Sequence, residues 1–312
     1  MSRHIEIVEV GPRDGLQNEK TVLSVEDRIE FIQRLETAGA RRIETVSFVN
    51  PARVPQMAGA EEVSAALPRQ ASRSRIGLEL NLRGWDRAVE AGVDEANVAL
   101  AASDGFGTRN QGMTVAQQLD MLGQIAERAH NSEGAGPNAQ EGGMPKLSAT
   151  ISVVWGCPFD GEVDEGQVTA MVKQIASLGI KEIALADTIG VADPWTVRRR
   201  VEAARKAAPD ATLRLHFHDT RNTGLANAYA GIEAGITVLD ASCGGIGGCP
   251  FAPNATGNIA TEDLVYMLQR GGFETGYDLD ALIETAQWVG AKLGKQTLSA
   301  LSRAGGFPII AG

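Results

Sequence analysis

Two histidines that stand two residues apart, His216 and His218, are the side chains of this chain best suited to binding a metal ion together. They end an apolar run typical of a β-strand, and side chains two positions apart on a strand point to the same face. A lone strand histidine is more often hydrogen-bonded in a core. This pair, however, uses two of only four histidines in the chain, and Asp219 follows it. We therefore expect the two imidazoles to converge on a metal ion.

Asp14 is the carboxylate that would complete such a site. It follows the first predicted strand in the stretch 11–15 (GPRDG), a composition that is also common in ordinary turns. In a closed barrel of eight strands, the first and seventh strands are separated only by the eighth, so Asp14 would face both histidines. Asn258 could add an amide oxygen, although it could equally be the N-cap of a helix that starts near Ile259. Such a ligand set favours Mg²⁺ or Mn²⁺ over a thiolate-bound zinc ion.

The elements that must position these residues follow a repeating strand and helix pattern. Eight apolar runs are predicted as strands: Ile5–Val10, Arg42–Ser47, Arg75–Leu80, Ala96–Ala101, Leu147–Val154, Glu182–Ala186, Thr212–Phe217 and Thr237–Ser242. Helical patterns follow each of them: Ser24–Ala38, Gln56–Leu67, Trp85–Ala91, Thr114–His130, Glu165–Leu178, Pro194–Ala208, Gly224–Ala234 and Ile259–Gln269. Eight such units predict an α/β fold, the (β/α)8 TIM barrel. A doubly wound sheet would carry a glycine-rich dinucleotide motif after the first strand, where residues 11–15 stand instead.

A last helical pattern, Leu279–Leu293, lies beyond the barrel units. We expect residues 1–275 to form the catalytic barrel and residues 276–312 a C-terminal helical extension packed on it. The stretch Asn131–Pro145 alone has the composition of a linker, so we interpret it as an insertion.

Composition limits the classes of function. The chain has 312 residues, of which 43% are hydrophobic, and its net charge of −10 includes no basic stripe that would bind nucleic acid. No apolar run approaches the roughly 20 residues of a membrane span. Three cysteines and no apparent secretory segment argue against a disulfide framework. We expect a cytoplasmic protein.

Further polar residues stand at predicted strand ends, where TIM barrels carry their active sites: Arg13, Glu44, Ser47, Asn81, Asp187 and Thr188. Glu44 could simply pair with Arg13, and the stretch 187–190 could cap a helix. The glycine-rich stretch 244–251 is either a phosphate-gripping turn after the eighth strand or an active-site lid that brings Cys249 to a substrate. We expect Cys157 and Cys243 to be packing residues.

Together these residues resemble the motifs of the 3-hydroxy-3-methylglutaryl-CoA lyase family, metal-dependent lyases built on TIM barrels. The resemblance runs from Val8 to about Gly272. It rests on these motifs: VEVGPRDGLQNEK from Val8, IET from Ile43, VPQM from Val54, DTIGV from Asp187, HFHDT from His216, GGCPF from Gly247 and GNIATEDLVY from Gly257.

The resemblance implies a role for each candidate residue. The metal ligands would be Asp14, His216, His218 and Asn258. The catalytic group would be Arg13, Asp14, Glu44, His216 and Cys249. The substrate-binding residues would be Gln17, Lys20, Ser47, Asn81, Asp187 and Thr188. In this mechanism Arg13 stabilises the thioester enolate and Cys249 protonates its carbon, while Asp14 or a neighbour accepts the hydroxyl proton.

The implied activity is the cleavage of 3-hydroxy-3-methylglutaryl-CoA to acetyl-CoA and acetoacetate, as in leucine degradation and ketone-body formation. An acyl-CoA would be the small-molecule partner, and a homodimer or higher homo-oligomer is expected. Several positions depart from the usual family residues, among them Arg53, Trp155 and the stretches 221–224 and 253–256. A related substrate such as citramalyl-CoA, or a longer 3-alkyl homologue, therefore stays open. A condensing enzyme of the isopropylmalate synthase kind would need a further C-terminal region, and a non-catalytic metal-binding or CoA-binding scaffold is the remaining alternative.

Overall fold

A closed barrel of parallel strands forms the centre of the computed structural model, which describes residues 3–131, 144–248 and 257–307. The barrel strands are β2 (Glu6–Glu9), β3 (Arg42–Ser47), β4 (Ser74–Glu79), β5 (Glu95–Ala101), β6 (Lys146–Ser152), β7 (Glu182–Asp187), β8 (Thr212–Phe217) and β9 (Val238–Ala241). Each pairs in parallel with its neighbour along the chain, and β9 closes the ring by pairing with β2. The predicted (β/α)8 TIM barrel is confirmed.

Helices surround the barrel in the order that the hydrophobic pattern predicts. They are α1 (Val25–Thr37), α2 (Ala60–Ala66), α3 (Leu82–Ala91), α4 (Asp104–Gln111), α5 (Val115–His130), α6 (Glu165–Ser177), α7 (Pro194–Ala207), α8 (Gly224–Glu233), α9 (Thr261–Arg270), α10 (Leu279–Leu293) and α11 (Leu301–Ala304). Polar N-caps start several of them: the side chain of Thr114, for example, accepts a hydrogen bond from the backbone of Gln117. The sequence pattern did not predict α4, which has glycines at two of its first four positions and so lacks a clear helical periodicity.

The two ends of the barrel interior differ in chemistry. At the N-terminal end of the strands, the guanidinium of Arg42 donates hydrogen bonds to the carboxylates of Glu95 and Glu182, each at 2.6 Å. Above this charged layer lies a small apolar cluster of Val8, Val10, Ile76 and Val238. Side chains therefore fill the barrel at the N-terminal end of its strands, and the space for a ligand lies at the C-terminal end.

The C-terminal extension packs against the first helix of the barrel. Trp288 of α10 stacks on Phe31 of α1, with ring centroids 6.0 Å apart, and the guanidinium of Arg34 lies 4.9 Å from the Trp288 ring. A second, two-stranded sheet joins β1 (Arg3–His4) to β10 (Phe273–Glu274). No helix in the described ranges combines the length and apolarity needed to cross a bilayer.

Replacing Glu79 with Met should stabilise the fold. The Glu79 side chain is fully buried beside Gly84 of α3, and among the described residues neither carboxyl oxygen has a hydrogen-bond partner. Burial, with repulsion from Glu44 and Glu95, raises its pKa well above the ordinary value of 4.5. We expect the free energy of unfolding at neutral pH to rise by about 1–3 kcal/mol, because an unpartnered buried polar group is removed.

The raised pKa of Glu79 also predicts how the stability of the protein changes with pH. Because the folded state holds the Glu79 proton more tightly than the unfolded chain, the contribution of Glu79 to stability is greatest below pH 4.5 and is lost as the pH rises through the raised pKa. Urea unfolding should show that the free energy of unfolding falls less with rising pH in Glu79→Met and Glu79→Gln than in the wild type. Glu90→Met, at an exposed position of α3, is the control and should leave the fall unchanged.

Candidate active site

A cavity opens at the C-terminal end of the barrel strands, with a volume of about 820 Å³ when its mouth is included. One side of the cavity is charged or imidazole-bearing and is lined by Arg13, Asp14, His216, His218 and Asp240. The other side combines small polar and apolar side chains: Val49, Leu78, Leu80, Asn97, Ala99, Phe106, Thr150, Ser152, Ala186 and Thr188. Because the two sides face each other, a substrate in the cavity would lie between a charged wall and a mostly neutral one.

Three of the predicted metal ligands meet on the charged wall. The ligating atoms of Asp14, His216 and His218 all lie within 4.8 Å of one another. Oδ2 of Asp14 is 3.6 Å from Nε2 of His218 and 3.9 Å from Nε2 of His216. The end of β8 positions both histidines, whose ring centroids are 5.1 Å apart, and a single helical turn after β2 (Gly11–Gly15) positions Asp14. The two imidazoles thus face the same way, as the spacing along the strand predicts.

Asn258 joins this group from the segment that leads to α9. It forms an isolated β-bridge with His218, and its Nδ2 donates hydrogen bonds to Oδ2 of Asp14 at 2.8 Å and to the carbonyl of Ile246 at 3.2 Å. Its Oδ1 is buried and has no hydrogen-bond partner among the described residues. The alternative role as a helix N-cap is not observed, because α9 begins at Thr261 and Ala260 occupies the N-cap position.

This set of donors fits a hard divalent cation. One carboxylate and two imidazoles converge, and a third segment brings the Asn258 amide against Asp14, with an amide oxygen that has no partner among the described residues. Mg²⁺ and Mn²⁺ are bound by oxygen and imidazole ligands, and no thiol lies in the cluster of ligands found among the described residues.

A buried arginine lies directly beside the metal ligands. Nε of Arg13 donates to Oε2 of Glu44 at 2.6 Å, and Nη2 of Arg13 also pairs with this oxygen. Nη1 of Arg13 donates to Oδ1 of Asp14 at 2.6 Å. Arg13 is thus held between two carboxylates while it lines the cavity, and the interpretation of Glu44 as its partner agrees with these contacts.

The charges of this group stabilise one another. Burial alone would raise the pKa of Asp14, but Arg13 and the two histidines outweigh it and hold the pKa well below its ordinary range. Burial opposes the charge on Arg13, and its two carboxylate neighbours restore it and raise the pKa of the guanidinium. For Glu44 the cost of burial exceeds the effect of Arg13, so its pKa is raised. Asp14 is therefore ionised and Arg13 a permanent cation at neutral pH.

The six predicted substrate-binding residues fall into two groups in this structure. Gln17 and Thr188 line the cavity; Oε1 of Gln17 is buried without a partner among the described residues, and Oγ1 of Thr188 accepts a hydrogen bond from the backbone of Val153 at 2.9 Å. The other four, Lys20, Ser47, Asn81 and Asp187, do not line it.

Each of these four side chains has a local environment of its own. Ser47 is fully buried and donates to the carbonyl of Leu78, and Asn81 caps α3 by accepting a hydrogen bond from the backbone of Gly84. Both oxygens of Asp187 accept hydrogen bonds from the backbone of the following turn, at 2.9 Å each. Lys20 is exposed to solvent. Their roles in substrate binding remain predictions.

The predicted lid cysteine, Cys249, lies outside the described residues, and its role also remains a prediction. The two other cysteines are buried, as expected for packing residues. Sγ of Cys157 accepts hydrogen bonds from the backbone amides of Phe159 and Asp160, both at 3.3 Å.

Sequence reasoning missed two polar residues, Asp240 and Asn97, that form hydrogen bonds with predicted site residues. Oδ2 of Asp240 lies 3.1 Å from Nδ1 of His216, and Nδ2 of Asn97 donates to Oε1 of Glu44 at 3.3 Å. Both are polar residues inside otherwise apolar strands, Asp240 in the sequence VLDA of β9 and Asn97 in EANVALA of β5. A polar residue on an inward-facing position of a barrel strand is the signal that could have identified them.

Replacing Gly247 with Ala should weaken metal binding. Gly247 has a φ of +120°, and a Cβ atom there would lie 2.7 Å from Nδ2 of Asn258. The substitution would displace the Asn258 amide, so we expect the Kd for Mn²⁺ to rise by roughly 10–100-fold, as when an outer-shell partner of a ligand is lost.

Gly92→Ala is the matched control for this prediction. Gly92 also has a positive φ, +69°, but a Cβ atom there would meet nothing within 4 Å. This variant should lose some stability through backbone strain and keep the wild-type Kd. Equal Mn²⁺ affinity of the two variants in calorimetry would contradict the proposed contact.

The fold and the site together define a class. The protein is a (β/α)8 barrel with a possible divalent-metal site at the C-terminal end of its strands, formed by Asp14, His216 and His218. The HMGL-like family model matches residues 4–289, and the chain belongs to this family.

Curated relatives and solved structures agree with this membership. The chain is 40% identical over 304 residues to a 3-hydroxy-3-isohexenylglutaryl-CoA/hydroxy-methylglutaryl-CoA lyase of Pseudomonas aeruginosa, covering 97% of this chain and 98% of the relative. It is 42% identical over 311 residues to an (R)-citramalyl-CoA lyase of Chloroflexus aurantiacus, covering 96% and 95%. An HMG-CoA lyase from Acinetobacter baumannii, solved in complex with coenzyme A and 3-methylmalate, superimposes with a TM-score of 0.90 at 40% identity, covering 98% of each chain.

Proposed function

We propose that this protein is a divalent-metal-dependent carbon–carbon lyase that cleaves 3-hydroxy-3-methylglutaryl-CoA to acetyl-CoA and acetoacetate. The observation that carries the proposal is the convergence of Asp14, His216 and His218 beside the buried Arg13 in a cavity at the C-terminal end of the barrel. Relatives with this activity in their names, at 37–40% identity over nearly the whole chain, support it. The cation would be Mg²⁺ or Mn²⁺, held by these three residues and Oδ1 of Asn258.

The reaction requires a group that accepts negative charge while the bond between C2 and C3 breaks. The C3 hydroxyl loses its proton, a ketone forms at C3, and the electron pair of the broken bond passes into the thioester, giving an enolate. Arg13 is suited to stabilise the enolate oxygen, because its guanidinium is permanently charged and faces the cavity. Its contacts with Glu44 and Asp14 fix its direction before the substrate arrives.

Two proton transfers complete the scheme. A bound divalent cation supplies acidification of the substrate hydroxyl, so that a weak base is enough to remove the proton. Asp14 or a neighbouring group would accept it; the low pKa of Asp14 makes it a weak base and a good ligand. Cys249 would then protonate C2 of the enolate to give acetyl-CoA.

Citramalyl-CoA, which would give pyruvate and acetyl-CoA, is the second candidate substrate. Asn97, Thr150 and Ser152 place polar groups on the neutral wall of the cavity, beside the small side chain of Ala99. A polar wall suits a substituent with hydrogen-bonding groups as well as an alkyl group. The Chloroflexus relative named for this activity supports this alternative.

The remaining parts of the proposal concern the cellular setting. An acyl-CoA thioester is the proposed small-molecule partner, and the neighbour solved with coenzyme A supports it. We further propose a homodimer or higher homo-oligomer in the cytoplasm, with a role in leucine degradation and ketone-body formation.

A substrate panel tests the proposed function. The purified protein is incubated with Mg²⁺ or Mn²⁺ and with 3-hydroxy-3-methylglutaryl-CoA, a longer 3-alkyl homologue, or citramalyl-CoA, and released acetyl-CoA is measured in a coupled assay. We expect the largest kcat/KM for 3-hydroxy-3-methylglutaryl-CoA and no release after chelation of the metal. A preference for citramalyl-CoA would select the alternative substrate, and no release from any thioester would favour a non-catalytic scaffold.

A further inference from the structure

The two histidines of the metal site are not equivalent. His216 has a carboxylate near each ring nitrogen: Nδ1 is hydrogen-bonded to Oδ2 of Asp240 at 3.1 Å, and Nε2 faces Oδ2 of Asp14 at the longer distance of 3.9 Å. His218 also directs its Nε2 toward Asp14, but its buried Nδ1 has no hydrogen-bond partner among the described residues. Of the two histidines, only His216 therefore has its Nδ1, the nitrogen that faces away from Asp14, hydrogen-bonded to another side chain of the described residues.

The contact with Asp240 determines which nitrogen of His216 carries the proton in the neutral ring. A carboxylate can only accept hydrogen bonds, and the 3.1 Å contact with Asp240 is short enough for one whereas the 3.9 Å separation of Nε2 from Asp14 is not, so the geometry places the proton on Nδ1. The lone pair is then on Nε2, the atom that faces the other ligands. An imidazole with the opposite tautomer would present an N–H to the cation and could not bind it.

Asp240 is buried between His216 and a buried arginine. It lies on β9, where its backbone pairs with Val8, and its side chain is 6% exposed. Its second oxygen, Oδ1, is 3.5 Å from Nε of Arg214, a side chain that is 1% exposed and also lies 3.4 Å from Oε1 of Glu182. The Arg214 guanidinium thus faces the Asp240 oxygen that does not contact His216, in an ion pair in which neither atom has a hydrogen-bond partner among the described residues.

We propose that Asp240, paired with Arg214, is a positioning residue that fixes the tautomer and direction of His216 for metal binding. This inference rests on the metal role of His216 in the proposed function. It adds to that function a second layer of residues, Asp240 and Arg214, that the ligand motifs do not contain.

Asp240→Asn is the variant with the sharpest expected outcome. Nε of Arg214 is a donor, so the amide introduced by this substitution would turn its oxygen toward Arg214 and its NH2 group toward Nδ1 of His216. That NH2 group would favour the tautomer with the proton on Nε2. Asp240→Ala removes the acceptor without adding a donor. We therefore expect the isosteric Asn variant to raise the Kd for Mn²⁺ by roughly 10–100-fold and the Ala variant to raise it less.

A purely structural role predicts the reverse order, because Ala would leave a cavity in the barrel and Asn would not. Glu182→Gln is the matched control: it removes the same charge on the other side of Arg214 and does not touch His216. Mn²⁺ binding is measured by calorimetry on each apoprotein, with thermal unfolding as the check on folding. We expect Glu182→Gln to bind Mn²⁺ with nearly wild-type affinity.

A spectrum of the wild-type apoprotein provides a test that needs no variant. With four histidines in the chain, long-range ¹H–¹⁵N spectra above the pH of imidazole titration can report each tautomer. We expect His216 with the proton on Nδ1. A proton on Nε2, wild-type Mn²⁺ affinity of Asp240→Asn, or an equal loss in Glu182→Gln would overturn the inference. Absence of Mn²⁺ binding by the wild type would instead overturn the proposed function, whatever the tautomer.

Discussion

Arg13→Gln should lower kcat/KM for acetyl-CoA release by roughly 10³-fold or more with the fold intact. Loss of one neutral donor to a developing oxyanion already costs about 10²–10³-fold, and Arg13 contributes a full charge as well. The substitution also leaves the buried carboxylate of Glu44 without its cation, so the effect cannot be confined to one hydrogen bond. Steady-state kinetics with the coupled assay, beside thermal unfolding, measure it.

Two further variants show whether the activity lost in Arg13→Gln depends on the charge or on the geometry of the guanidinium. Arg13→Lys keeps the charge but cannot contact Asp14 and Glu44 with a planar fork, so we expect an intermediate rate. Arg128→Gln, at an exposed arginine that pairs with Asp86, should leave kcat/KM unchanged. Near-normal activity of purified Arg13→Gln would end the assignment of this residue to the reaction.

His216→Ala should abolish both Mn²⁺ binding and turnover. The imidazole supplies one of the converging ligand atoms, and its removal should cost more than the roughly 10–100-fold in metal affinity that follows loss of an outer-shell partner. The pKa of His216 is lowered by burial but raised more strongly by Asp240 and Asp14, so its net shift is upward. Metal binding should accordingly weaken as the pH falls through the imidazole range, because the cation must displace the ring proton.

His130→Ala is the matched control for the second prediction. His130 lies at the end of α5, where its Nδ1 is 2.6 Å from the carbonyl of Ala126. Its loss should change neither the Mn²⁺ content nor the rate. Retention of one Mn²⁺ per chain in His216→Ala would show that this histidine is not a ligand.

The sequence predicts those features of the site that depend on local periodicity. The two-residue spacing of His216 and His218 on a strand requires a common direction, and the order of the barrel strands, in which only β9 separates β8 from β2, brings Asp14 close to them. The barrel itself follows from eight apolar runs of strand length that alternate with helical patterns. These arguments need only the geometry of single elements and the closure of the ring.

Features that depend on side-chain contacts between distant segments could not be predicted in this way. The pairing of Asp240 with His216 requires the register of β8 against β9, and the alternation of inward and outward side chains excludes a shift of one residue but not a shift of two. Asp187 ends a strand, as a site residue of a barrel should, yet its oxygens accept hydrogen bonds from the turn that follows. Asn258 precedes a helix and resembles an N-cap in sequence, but an isolated bridge with His218 places it two residues too early for that role.

Crystals of the protein grown with Mn²⁺ would locate the ion directly by its anomalous scattering. We expect one strong peak per chain among Oδ2 of Asp14, Nε2 of His216, Nε2 of His218 and Oδ1 of Asn258. A peak at any other place in the barrel, or imidazoles of His216 and His218 turned away from the ion, would contradict the metal centre on which the proposed cleavage depends.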